Sequence, residues 1–115
     1  MADDARAIFD LAAFDRQTGG DAALRAEIVQ MFLEDCPQRV GEIRAAITAA
    51  DARALTASAH ALKGSAAYMS AAAVRDRAAD LERLGRDGAL AGASPALDQL
   101  ESAVAALLPE LHKLG

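Results

Sequence analysis

The stretch ARALTASAHALKGSAAYM, residues 52–69, decides the fold. Leu55, Ala59, Leu62, Ala66 and Met69 recur in it at i, i+4, i+7, i+11 and i+14, the spacing of a helix with one face turned to a core. Asp51 stands immediately before it as a capping residue. Downstream, Ser70 is expected to open a helix over about 71–85, with Val74, Ala78, Leu81 and Leu84 inward and the stretch from Gly85 to Gly88 closing it. Ser94 and Pro95 then form a cap and first-turn pair for a last helix over about 95–113. Leu97, Leu100, Val104, Leu107, Leu108, Leu111 and Leu114 keep a three-four spacing along it.

Upstream, Asp10 caps a short segment over about 10–18 that carries Leu11 and Phe14 and stops at Gly19 and Gly20. Asp21 caps the next helix, over about 21–50. Its expected inward stripe is Leu24, Ile28, Met31 and Asp35 with Phe32 beside them, continued by Val40, Ile43 and Ile47. Pro37 falls in the middle and either starts a new helix or kinks a long one. One kinked helix is the favoured reading, because no glycine or loop cluster accompanies the proline. Four amphipathic helices with short connections predict an all-α fold, an antiparallel four-helix bundle with a short additional N-terminal helix, forming a single domain over 1–115.

Composition agrees with helices. The 115 residues include 31 Ala, against 8 Val plus Ile, 3 Phe, 1 Tyr and no Trp, too few β-branched and aromatic residues to fill a sandwich or barrel. A net charge of −5 argues against a nucleic-acid binder and against an anionic membrane surface. No apolar run approaches the ~20 residues that span a bilayer. The N-terminal residues lack a signal pattern, so a cytoplasmic protein is expected. Cys36 has no second thiol to pair with and is expected to be inert. A monomer is expected, since the bundle itself uses the apolar stripe of each helix.

Two histidines are the main chemical resource. His112 lies in the last helical turn beside Lys113, where a cation suits the helix dipole, and reads as structural. His60 points about 140° away from the Leu55–Met69 stripe, into solvent. A lone exposed histidine is ordinarily just a solvated residue, but its neighbours at i+3 and i+4 change that reading. Lys63 brings positive charge within a turn of the ring, favouring a free ring nitrogen as nucleophile and compensating an anion attached there. Gly64 omits a methyl in an alanine-rich helix at a cost of ~1 kcal/mol, which clears space for a large partner group. The chemistry implied is a phosphohistidine. Ala57, Ala61, Ala67 and Tyr68 surround His60 on the same angular plot and form a candidate partner-binding platform.

The stretch Ala59-His60-Ala61-Leu62-Lys63-Gly64-Ser65-Ala66 resembles the signature of histidine phosphotransfer (HPt) domains. The resemblance extends to Gly19-Gly20-Asp21, to Met31 through Asp35 with Pro37, to Asp51 and Leu55, and to Leu81-Glu82 followed by Gly85-Arg86. It implies a four-helix bundle in which His60 accepts and donates the phosphoryl group, Lys63 gives electrostatic support and Gly64 gives clearance. It also implies receiver domains of response regulators and of a hybrid histidine kinase as partners, with Mg²⁺ and most catalytic groups supplied by the receiver, and no cofactor or metal held by this chain. The chain departs from the family pattern at Tyr68-Met69-Ser70, where many members carry Asn-Leu-Gly and so a glycine at the turn.

Other functions fare less well. An autonomous kinase would need an ATP-binding domain, and Lys63-Gly64-Ser65 has the wrong order for a phosphate-binding loop. The expectation is a phosphocarrier standing alone. The alternative is a helical adaptor that binds receiver domains without accepting phosphate, which would have no physical need for His60, Lys63 and Gly64 together.

Overall fold

The computed structural model describes residues 6–114. Five α-helices lie wholly within the described residues: α1 Leu11–Gln17, α2 Ala22–Thr48, α3 Ala52–Tyr68, α4 Ala72–Asp87 and α5 Ala93–His112. Three begin on aspartates that cap as the sequence suggests. Asp10, Asp21 and Asp51 accept from the backbone N–H of Ala13, Leu24 and Ala54, each at 3.0 Å. Helix α2 packs on α3, α3 on α4, α4 on α5 and α5 back on α2, which closes a four-helix bundle, with α1 at one end.

The core is built from Phe14 of α1, Phe32 and Ile43 of α2, Leu55 and Leu62 of α3, Val74 and Leu81 of α4, and Leu100, Leu107 and Leu111 of α5. Alanines fill the closest approaches: Ala59, Ala66, Ala78 and Ala93 are all completely buried. Short side chains at these positions let the helix axes come together.

Helix α2 corrects one expectation. It runs unbroken through Pro37, and its buried seam is Val29, Phe32, Cys36, Val40, Ile43 and Ala46. Leu24, Met31 and Asp35, expected inward, lie about 110° around the helix from that seam, while Ile28, also expected inward, is half-buried against the core. Met31 is 67% exposed and Leu24 38% exposed. Both stripes have helical spacing, but a continuous helix keeps a single seam, and Val40 and Ile43 set it for the whole length.

Two helix starts also differ. Ser70 does not cap α4: it adopts φ 59°, and Ala71 precedes α4 without a side-chain hydrogen bond. Ser70 instead ends α3 in the left-handed conformation, while Ala71 N–H donates to Ala66 C=O at 2.9 Å. Ser70 thus makes the α3–α4 turn without a glycine. Its carbonyl accepts from Asp10 N–H at 3.0 Å, which ties the entry of α1 to the α3–α4 turn. Similarly, α5 starts at Ala93 directly from a 3₁₀ turn at Leu90–Gly92, so Ser94 and Pro95 are exposed first-turn residues and not a cap. Pro95 is tolerated there because first-turn N–H groups have no intrahelical acceptor.

Gly85 is not a terminator. It is buried inside α4, and Gly88, at φ 68°, ends the helix. A Cβ at position 85 would lie 2.9 Å from Thr56 N and 3.0 Å from Ala52 O, so the missing side chain sets how closely α4 approaches α3.

Two substitutions test these points by denaturant midpoint. Gly85→Ala is expected to destabilise by about 1–3 kcal/mol despite alanine's better helix propensity, because backbone atoms of α3 stand in the way. Ser70→Gly is expected to stabilise by about 1 kcal/mol by relieving a left-handed serine.

Candidate functional site

His60 stands midway along α3, its side chain 69% exposed. The core residues Ala59 and Leu62 on either side fix α3 against the bundle, so the ring direction follows from the helix register. Behind the ring, α4 presents Glu82, a carboxylate only 4% exposed. His60 Nδ1 lies 2.7 Å from Glu82 Oε2, Lys63 Nζ 2.5 Å from Oε1 and Arg86 Nη2 2.8 Å from Oε2. Three donors thus converge on one buried carboxylate from two helices.

This arrangement fixes charge and tautomer. The hydrogen bond from Lys63 holds Glu82 below the usual carboxylate range; burial opposes that, and the bond from His60 adds to it. An ionised carboxylate only accepts, so the ring nitrogen facing it carries the proton. In the neutral ring the lone pair is then on Nε2, the nitrogen on the far side from the bundle. An exposed, unprotonated imidazole nitrogen held in a fixed direction has the chemistry of a nucleophile.

Lys63, one turn beyond His60 on α3, pairs its ammonium with Glu82. Gly64 is exposed, and a Cβ there would meet nothing within 4 Å, so no packing inside this chain calls for glycine. Ala57 and Ala67 are exposed beside it, whereas Ala61 is half-buried. Tyr68, 43% exposed, lies one helical turn beyond Gly64. With Leu24, Ile28, Met31, Phe32, Asp35, Ser65 and Met69 it lines an apolar groove of about 500 Å³ between the first half of α2 and the last half of α3. His112 is exposed at the C-terminus of α5. Cys36 is buried to 1% exposure, and burial followed by the charge of Asp35 pushes its thiol up to about 11, so it is not a nucleophile at neutral pH.

Glu82 and Arg86 are the site residues that sequence reasoning passed over. The signal was present: Glu82 follows Ala78 by four residues on the inward face of α4, where an acid requires partners. Arg86, four residues further, is the partner on its own helix. Among the described residues, no group of three His, Cys, Asp or Glu side chains could hold a metal ion, and no helix is long and apolar enough to cross a membrane.

The family model for the Hpt domain matches residues 27–110. The crystal structure of histidine-containing phosphotransfer protein B (HptB) from Pseudomonas aeruginosa PAO1 is similar with a TM-score of 0.86 and 25% sequence identity, over 91% of each chain. A search of curated proteins returned no match. Fold and site together define a helical-bundle phosphocarrier. The chain belongs to the Hpt domain family, and its role is histidine phosphotransfer in a phosphorelay.

Glu82 links the site to stability. Its proton affinity is lower folded than unfolded, so its pairing stabilises the fold fully above about pH 4.5, the ordinary value, and is lost as pH falls through the folded value. Thermal melts from pH 6 to about pH 3 are expected to show a flatter acid decline for Glu82→Gln than for the wild-type chain.

Proposed function

We propose that His60 is the phosphoryl acceptor and donor of this Hpt protein, and that it relays the group between the aspartates of two receiver domains. The observation that carries this reading is the exposed His60 imidazole, whose inner nitrogen is hydrogen-bonded to Glu82 and whose other nitrogen lies on the side away from it. In the forward step the Nε2 lone pair attacks the phosphorus of an aspartyl phosphate. The N–P bond forms as the P–O bond breaks, and the electron pair leaves with the aspartate carboxylate.

The family's partners in phosphorelays are receiver domains. For this chain the proposed pair is the receiver of a hybrid histidine kinase and that of a response regulator. Gly64, with Ala57, Ala61 and Ala67 around it, leaves the approach to Nε2 low, and Tyr68 marks the edge of that surface. In-line phosphoryl transfer needs charge neutralisation, ordinarily by Mg²⁺. Glu82 is buried and holds Lys63, His60 and Arg86 with its two oxygens, a setting that favours those donors over a metal ion and fits a metal brought by the receiver. The chain then contributes the nucleophile and the docking surface, and the partner most of the catalysis.

The test uses receiver domains charged with acetyl phosphate in the presence of Mg²⁺. The wild-type chain is expected to acquire an acid-labile, alkali-stable label and His60→Gln none; a labelled His60→Gln protein would overturn the assignment. Lys63→Ala is expected to slow transfer or shorten the lifetime of the label. Gly64→Gln gives the sharper contrast. Because nothing in the chain contacts a Cβ at this position, it is expected to leave the denaturant midpoint unchanged or raised while transfer falls at least tenfold.

A further inference from the structure

Resting on the assignment of His60 as acceptor, we infer that Tyr68 of α3 and Met31 of α2 are specificity-determining residues. Together they admit receiver domains that seat an apolar side chain in the groove between these two helices, and they turn away receivers that bring a charged one. Among the described residues, four large hydrophobic side chains stay exposed, and three of them, Leu24, Met31 and Tyr68, line this one groove of about 500 Å³. The bundle has no use for them there. Its seam on α2 runs along Val29, Phe32 and Cys36, whereas Met31 is 67% exposed. Apolar side chains gathered in water from two helices mark a contact surface more than a scatter of single residues does.

Continuity with His60 assigns the occupant. Gly64 and Tyr68 follow the histidine at i+4 and i+8, a row that winds by about 40° per step toward α2, and Tyr68 ends it at the groove. Eight residues rise about 12 Å along a helix. A docked protein that covers the usual ~800 Å² of its partner spreads about 16 Å from the centre of contact, so a receiver centred on His60 reaches Tyr68. The lining then sets the chemistry. Asp35 is the one charged residue of the lining, and Arg39 pairs with it at 3.4 Å. A charged side chain pressed into the groove would lose water and find no free opposite charge, whereas an apolar one releases water from both surfaces. Tyr68 offers a large contact area, and the flexible thioether of Met31 fills in around what enters. A receiver therefore meets two separate demands: an aspartyl phosphate at His60 and an apolar side chain about 12 Å away.

The test compares two receiver domains, each charged with acetyl phosphate and Mg²⁺: the one that transfers fastest to the wild-type chain and one that transfers slowly. For both, KM and kcat of transfer are measured with wild type, Tyr68→Asn and Met31→Gln, each variant checked for folding by its denaturant midpoint. With the fast receiver, either substitution is expected to raise KM about tenfold and to leave kcat within about twofold, because the groove holds the receiver and does not touch the reacting atoms. With the slow receiver KM is expected to move little, so the preference between the two shrinks. An unchanged KM in both variants would overturn the inference, and so would an equal rise for both receivers, which would make the groove a contact without selectivity. Sedimentation of the chain alone supplies a further arm: a wild-type dimer that Met31→Gln dissolves would make a second copy the occupant and overturn it too. Normal transfer by Tyr68→Asn and Met31→Gln defeats this inference alone, whereas label surviving in His60→Gln defeats the site assignment beneath it.

Discussion

The site depends on how closely α4 can approach α3. At Gly85 the two backbones come near enough that a methyl group would strike Thr56 N and Ala52 O. One turn earlier on α4, the same approach brings Glu82 within hydrogen-bonding distance of both His60 and Lys63. Widening the gap by the diameter of a methyl would leave the carboxylate buried without its partners, the costly state for a charge. Packing and chemistry are therefore one constraint here. The glycine that shapes the core and the acid that orients the ring lie three residues apart on one helix face.

That coupling explains the division of labour around His60. The residues on the ring's own helix, Lys63 and Gly64, are visible as neighbours in sequence, and their spacing from His60 is enough to single them out. The residues from the next helix are visible only once two helices are set side by side. Glu82 is 22 positions away from His60, and no local pattern ties one to the other. The sequence does place an acid on the inward face of α4; what it pairs with is a tertiary fact.

The same distinction runs through the fold. The seam of α3, three aspartate caps and the helical class were legible because each depends on residues within a few turns of one another. The seam of α2 is ambiguous in sequence because Leu24, Ile28 and Met31 satisfy helical spacing as well as Val29, Phe32 and Cys36 do. Only the unbroken passage through Pro37, which carries the register of Val40 and Ile43 back to the start of the helix, separates them. Ser70 has the composition of a cap, whereas the turn between α3 and α4 uses it in the left-handed conformation. In each case the competing local patterns were equally good, and packing against a neighbour chose between them.

Helix α2 is consequently apolar on two sides, one sealed in the bundle and one left in water. A molecule with Met31, Leu24 and Tyr68 clustered on one face faces a colloidal problem: identical copies could adhere through that face. The surplus of acidic over basic residues, a net −5 on 115 residues, works against that adhesion by mutual repulsion between copies. Repulsion of this kind is long-ranged and screened by salt, while apolar contact is short-ranged and is not. Added salt therefore weakens what keeps copies apart and leaves the apolar attraction in place.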